Sequence, residues 1–276
     1  MKTSPVALWL WYQGDLFRGY QRQLEGPTVQ QVLEEALAAG GYQATPAPSG
    51  RTDRGVHARM QVVSFRPKGG GQPEEIRRLL EASLPAGVGV AAATLAPPSF
   101  HAQWSANAKE YRYRLLLGPD PRPEWEPFAW RPRTHPRLEG CEPTPERIAA
   151  VLGRIVGTRD FIAFHEKSSV QKPRTLSRAQ LVPLGGGLYE ATLQGEGFAR
   201  YQVRYLVGSA VAVAAGVLAE NDFVQALERG VAIPGLKAPG QGLILWEVGY
   251  PPEVDPFASL RAGGAALPSG PPFVGG

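Results

Sequence analysis

The chain has 276 residues, 43% of them hydrophobic, a net charge of +4 and a sequence pI near 9.3, which is enough apolar material for one large domain or two modest ones. A single cysteine, Cys141, excludes an internal disulfide and a cysteine-rich zinc site. The histidines His57, His101, His135 and His165 offer no pair at ligand spacing, so no metal is expected.

Val6 to Tyr12 reads as a first strand. It has no small-residue cleavage site and runs into Gln13-Gly14-Asp15, unlike a signal peptide. Thr28, with Gln31 three residues on, forms a capping box for a helix whose stripe is Val29, Val32, Leu33, Ala36 and Leu37, ended by Gly40-Gly41. Strand character returns at Gln61 to Phe65, a second helix starts near Pro73, and Val88 to Leu95 is a further strand. Lys109 to Leu117 alternates as a strand, and Pro119 to Pro143, dense in Pro and Arg, reads as loop.

Thr144-Pro145 caps a third helix with Ile148, Val151, Leu152 and Ile155 inward. Strands at Leu176 to Val182 and Leu188 to Gln194 precede a long apolar helix from about Tyr201 to Ala219. That run is too short for a bilayer and contains Gly208, Ser209 and Gly216, so a buried helix is expected and no membrane contact. A short helix at Asp222 to Arg229 and a strand at Leu243 to Tyr250 follow.

Strands returning beside one another with helices between predict an α+β fold of two similar βα halves with mainly antiparallel sheets. The expected division is residues 1–98, 99–250, and a Pro/Gly/Ala-rich tail, 251–276, that is poorly ordered. A cytoplasmic location is expected. Six lysines and 23 arginines suit a phosphate-rich partner, but codon bias explains the arginines equally well.

The segment Ser49-Gly50-Arg51-Thr52-Asp53-Arg54-Gly55-Val56-His57-Ala58 places a carboxylate between two guanidinium groups and two glycines. Flanking cations favour the ionised form that a nucleophile or electrostatic stabiliser needs, although an ion-paired turn aspartate has the same local pattern. Gly50 to Ala58 resembles the Gly-Arg-Thr-Asp-x-Gly-Val-His pattern of the TruA family of tRNA pseudouridine synthases. Further similar stretches are Gly19 to Gln23 with Thr28-Val29-Gln30, then Phe100-His101-Ala102 with Ser105-Ala106 and Tyr111-Arg112-Tyr113. Phe198 with Val203 to Gly208, and Gly242-Leu243 with Val248 to Pro251, complete the resemblance over about the first 250 residues. The chain departs from the family at Tyr20 for Trp, at Gln13 for Asp, and at Lys109-Glu110 for Arg-Arg.

The resemblance implies isomerisation of uridine to pseudouridine in the anticodon stem-loop of tRNA, at positions 38 to 40, by a homodimer that uses no metal or cofactor. It makes Asp53 the essential aspartate, leaving open whether it attacks the sugar, adds to the base or removes a sugar proton. The uridine must leave its stack to be reached. Tyr111 then supports the flipped uracil, although a strand tyrosine is also ordinary core. Arg204 pairs a catalytic acid, with Asp53 the candidate, and Leu243 walls the base pocket. Arg51 props the stack from which the base leaves, and Arg54 binds phosphate. His57 and His101 are expected to be structural. Lys167, Lys172 and Arg174, in a presumed exposed loop, are candidate tRNA contacts from a second subunit.

Two other classes fit parts of the sequence. A non-catalytic RNA-binding module suits the charge and aromatics, but an anion amid the arginines repels phosphate. A glycoside hydrolase acting on nucleosides needs a second carboxylate that no motif here supplies.

Overall fold

The computed structural model describes residues 4–119, 122–166, 171–261 and 265–274. In chain order its strands are β1 (Val6–Tyr12), β2 (Ala47–Pro48), β3 (His57–Phe65), β4 (Val88–Leu95), β5 (Ala108–Leu116), β6 (Gly157–Arg159), β7 (Arg174–Gly185), β8 (Leu188–Gly195) and β9 (Leu243–Gly249). The helices are α1 (Val29–Ala39), α2 (Pro73–Ser83), α3 (Pro145–Gly153), α4 (Gln202–Ala214) and α5 (Glu220–Arg229). Among the described residues no helix is long and apolar enough to cross a membrane.

The chain divides into two compact units, one built from Met1–Ala108 and Ile244–Val274, the other from Lys109–Leu243. This differs from a division at residues 98 and 250. β9 pairs in parallel with β3, His57 against Ile244 and Ala58 against Leu245, so the last strand returns to the first unit. No local pattern reports a pairing between residues so far apart in sequence.

In the first unit the strand order is β4-β1-β3-β9, with β2 on β3, and β1 is antiparallel to both neighbours. Alternation along β1 sets Leu8 and Leu10 on one face and Trp9 and Trp11 on the other. The second face is covered by the C-terminal segment, where Trp9 meets Phe257 edge-on at 6.0 Å and Trp11 meets Phe273 at 5.8 Å. Arg261 locks that segment down, donating to Asp255 Oδ2 (2.9 Å), Glu247 Oε1 (2.7 Å) and the Val248 carbonyl (2.6 Å). Among the described residues of the tail, Phe257, Arg261 and Phe273 are therefore packed against the sheet. The tail's composition is that of a loop, but two phenylalanines and one arginine suffice to anchor it.

Thr28 caps α1, its hydroxyl accepting from Gln31 N at 3.2 Å. The capping box is only half made, because the Gln31 side chain donates to Glu35 instead. α2 follows Gln72 with Pro73 in its first turn and packs on β4.

The second unit has the order β5-β8-β7-β6, antiparallel throughout, with α3 packed on β7 and α4. The apolar run expected to stay helical to about Ala219 ends short of it. α4 stops at Ala214, Gly216 takes φ +74°, and α5 starts at Glu220. A glycine in the left-handed region just past a helix end terminates it at no steric cost.

On this sheet Arg114 of β5 lies directly across from Glu190 of β8, both almost wholly buried and in contact. Arg112 also reaches Glu190 (3.2 Å) and Glu110 (2.8 Å). Burial pulls the Arg114 guanidinium down to about 10 and pushes the Glu190 carboxyl up. Each charge is tolerated because of the other, so removing one strands its partner. Glu190→Ala is expected to destabilise the protein by about 3–5 kcal/mol, measured by urea unfolding. A loss below about 1 kcal/mol, the value of an exposed pair, would contradict this.

Candidate functional site

In the first unit the segment between β2 and β3 carries Arg51, Asp53 and Arg54. Arg51 and Arg54 are exposed and Asp53 is half-buried. Asp53 opens a tight turn: its carbonyl accepts from Val56 N at 3.1 Å, and Gly55 at the third position has φ +80°. That is the type II pattern, which a side chain at the third position would strain.

The rest of the loop is held by buried polar groups. Gln61 of β3, fully buried, accepts from Ser49 N (3.2 Å) and Ser49 Oγ (2.7 Å) and donates to the Gly50 carbonyl (2.8 Å) and Tyr12 Oη (3.2 Å). Tyr12 Oη lies 2.7 Å from Thr52 Oγ1, and burial pushes its hydroxyl up to about 12, so it stays protonated. The Thr52 carbonyl accepts from Tyr20 N at 3.0 Å. Residues 49, 50 and 52 and the Asp53 carbonyl are thus each fixed by a hydrogen bond, which sets the backbone position of the half-buried Asp53. Preorganisation of this kind is what a catalytic acid requires.

His57 is fully buried and its Nδ1 accepts from Gly14 N at 2.9 Å. A nitrogen that accepts carries no proton, and this one holds the loop rather than taking a substrate proton. Gly14 also receives Gly55 N at its carbonyl (3.2 Å). A Cβ on Gly14 would stand 2.1 Å from the Val56 carbonyl oxygen, so the backbone just after Asp53 would have to move. Gly14→Ala is expected to lower turnover more than about tenfold and to cost about 1–3 kcal/mol of stability. Unaltered kinetics would show that the loop position is immaterial.

In the second unit the sequence-predicted residues are Tyr111, Arg204 and Leu243. Tyr111 of β5 is buried, with Phe198 edge-on at 5.2 Å. Arg204, in the first turn of α4, donates from Nε to the Ala238 carbonyl at 2.7 Å, and Ala238 N donates back to the Arg204 carbonyl at 3.1 Å. Tyr113 Oη donates to the Pro239 carbonyl at 2.7 Å. These bonds hold the chain just ahead of Leu243, which is buried at the start of β9. Gly242 is required there, since a Cβ would lie 2.7 Å from the Tyr113 ring.

Arg174 is not in an exposed loop. It opens β7, is buried, and faces Asp160, with burial pulling its guanidinium down. A buried side chain there does not offer the exposed loop contact expected of it. Lys172 is exposed, and Lys167 lies outside the described residues. Among the described residues no three His, Cys, Asp or Glu side chains gather as metal ligands would.

Sequence reasoning missed Gln61, for which a glutamine in the middle of an apolar strand is a signal.

A family model described as tRNA pseudouridine synthase matches residues 12–105 and 152–251. The tRNA pseudouridine synthase A of Syntrophotalea carbinolica is 37% identical over 255 residues, covering 91% of this chain and 98% of that protein. Those of Thermosynechococcus vestitus and Neisseria meningitidis serogroup C are 35% and 36% identical, covering 92% and 91% of this chain and 88% and 95% of theirs. A solved Cbf5-Nop10-Gar1 complex superposes on 76% of this chain and 45% of that one with a TM-score of 0.35 and 12% identity, a likeness too slight to bear on function.

Proposed function

The chain belongs to the tRNA pseudouridine synthase A family, a family of isomerases, and on that premise we propose that it converts uridine to pseudouridine at positions 38 to 40 of the tRNA anticodon stem-loop. In this reading Asp53 is the essential carboxylate. The N1–C1′ bond of the flipped uridine breaks and a C5–C1′ bond forms, with the C5 proton leaving to solvent and N1 gaining one. Composition is unchanged, so no redox partner is required.

Tyr111 supports the uracil and Leu243 walls it. Arg204 serves the same step, Arg51 props the vacated stack and Arg54 meets phosphate. Family resemblance assigns these residues to one reaction. Flipping costs a few kcal/mol and is easiest in a loop, which favours the anticodon arm over a continuous stem.

The observation that best supports the reading is the Asp53 turn, whose neighbours are fixed by buried polar groups while its own carboxylate is left half-buried. A turn aspartate with only a structural duty does not need its flanking residues pinned in this way. The test is a map of pseudouridines in bulk tRNA from cells lacking the protein. Loss confined to positions 38 to 40 is expected, and an unchanged map would refute the proposal. The enzyme acts in the cytoplasm as a homodimer, in keeping with the resemblance. A fully active monomer by light scattering at assay concentration would refute the dimer.

A further inference from the structure

The residue that precedes α4 takes an uncommon conformation. Tyr201 has φ +64°, one of two non-glycine residues with positive φ among those described. Such backbone is held only where its surroundings over-determine it, and it recurs at ligand sites.

What surrounds Tyr201 is positive charge. Arg200 Cζ lies 4.8 Å from the ring centroid, Arg204 Cζ 5.2 Å and Lys237 Nζ 4.3 Å. Arg200 also donates to Tyr201 Oη at 2.9 Å, and Lys237 Nζ is 5.8 Å from the Tyr205 ring. Three cations about one ring are attracted to its face and repel one another. Glu166 faces Tyr205: after burial, its carboxylate is the main cause pushing that hydroxyl up. Lys237 forms no ion pair among the described residues, and both it and Arg200 are exposed.

Lys237 is also fixed in place. Ala238, the next residue, exchanges two hydrogen bonds with Arg204, and Gly208 lets this strand of chain lie against α4. A Cβ on Gly208 would be 2.0 Å from the Leu236 carbonyl oxygen. Two exposed cations held on one aromatic ring, beside a third, form a preset socket for a singly charged anion with several acceptor oxygens.

We propose that Lys237 and Arg200, seated on Tyr201, bind a backbone phosphate of the RNA substrate. This rests on the reading of the chain as a tRNA-acting enzyme and adds a positioning contact to it. The contact reads no sequence, because phosphates carry none.

The test is tRNA affinity of the full chain across a salt series. Lys237→Met should make the slope of log affinity against log salt shallower by about 0.7–0.9 and weaken binding roughly five- to eightfold near 0.1 M salt. The loss should be equal for transcribed tRNA with and without the target uridines. Lys237→Arg should restore the slope. Arg78→Met, on an exposed cation of α2 paired with Glu74, is the control and should leave it unchanged. A Lys237→Met slope equal to wild type overturns the inference while leaving the functional reading intact. Salt-dependent tRNA binding by a wild type that makes no pseudouridine overturns the functional reading and leaves the phosphate site standing. A wild type without salt-dependent affinity overturns both.

Discussion

Asp53→Asn is expected to abolish turnover, by about 10⁴-fold or more if the carboxylate is nucleophile or base, and to leave tRNA affinity close to wild type. The turn is closed by the Asp53 carbonyl, not its side chain, and the neighbouring bonds come from Thr52, Gln61 and Gly55. Asparagine keeps the shape and the turn while removing the charge. Single-turnover assays with excess enzyme separate chemistry from binding. Residual turnover within about tenfold of wild type would end the assignment of Asp53 as the essential group.

Arg204→Met is the second large effect expected, a fall of about 10²–10³-fold in turnover, the scale for losing one charged or hydrogen-bonding group aimed at a reacting centre. Lysine should not rescue it. Arg204 donates from Nε to the Ala238 carbonyl, and its planar fork presents several donors at fixed angles, a geometry that a single ammonium cannot reproduce. The lost Ala238 bond should cost only about 1 kcal/mol in stability, so a melting curve distinguishes misfolding from lost chemistry. An Arg204→Lys enzyme at wild-type rate would show that charge alone, or nothing at that position, matters.

Local patterns in the sequence carried much of the fold. β1 and β4 fall on the expected residues, and Thr28 and Thr144 cap their helices as read, because alternation and capping are short-range properties. The failures are of longer range or of geometry. The return of β9 to β3 and the anchoring of the tail by Phe257 and Phe273 depend on partners more than a hundred residues away. Arg174 reads as a loop cation because its place at the start of β7 depends on pairing with β6, a strand of three residues, Gly157–Arg159, that leaves little local pattern. For the candidate site, the Asp53 segment could be read directly, as a run of glycine, arginine and aspartate. What fixes it could not: Tyr12 and Gly14 act through contacts 40 or more residues away in sequence, and Gln61 through bonds to Ser49 and Gly50, 12 and 11 residues away. The same is true of Tyr201, whose backbone angle leaves no trace in residue type.

One departure from the family pattern finds a physical account, while the side chain of Gln13, where the family has an acid, has none. Glu110, in place of an arginine, pairs with Arg112 at 2.8 Å, joining the buried network of Arg114 and Glu190. Neither change alters the Asp53 turn.

The most direct test of the central claim is incubation of the purified protein with unmodified transcribed tRNA, followed by position-by-position mapping of the product. Pseudouridine at one or more of positions 38 to 40, with no uracil released and none formed by Asp53→Asn, is the predicted result. Bound tRNA left unmodified would identify a binding module, and free uracil a nucleoside-cleaving hydrolase; either would contradict the account.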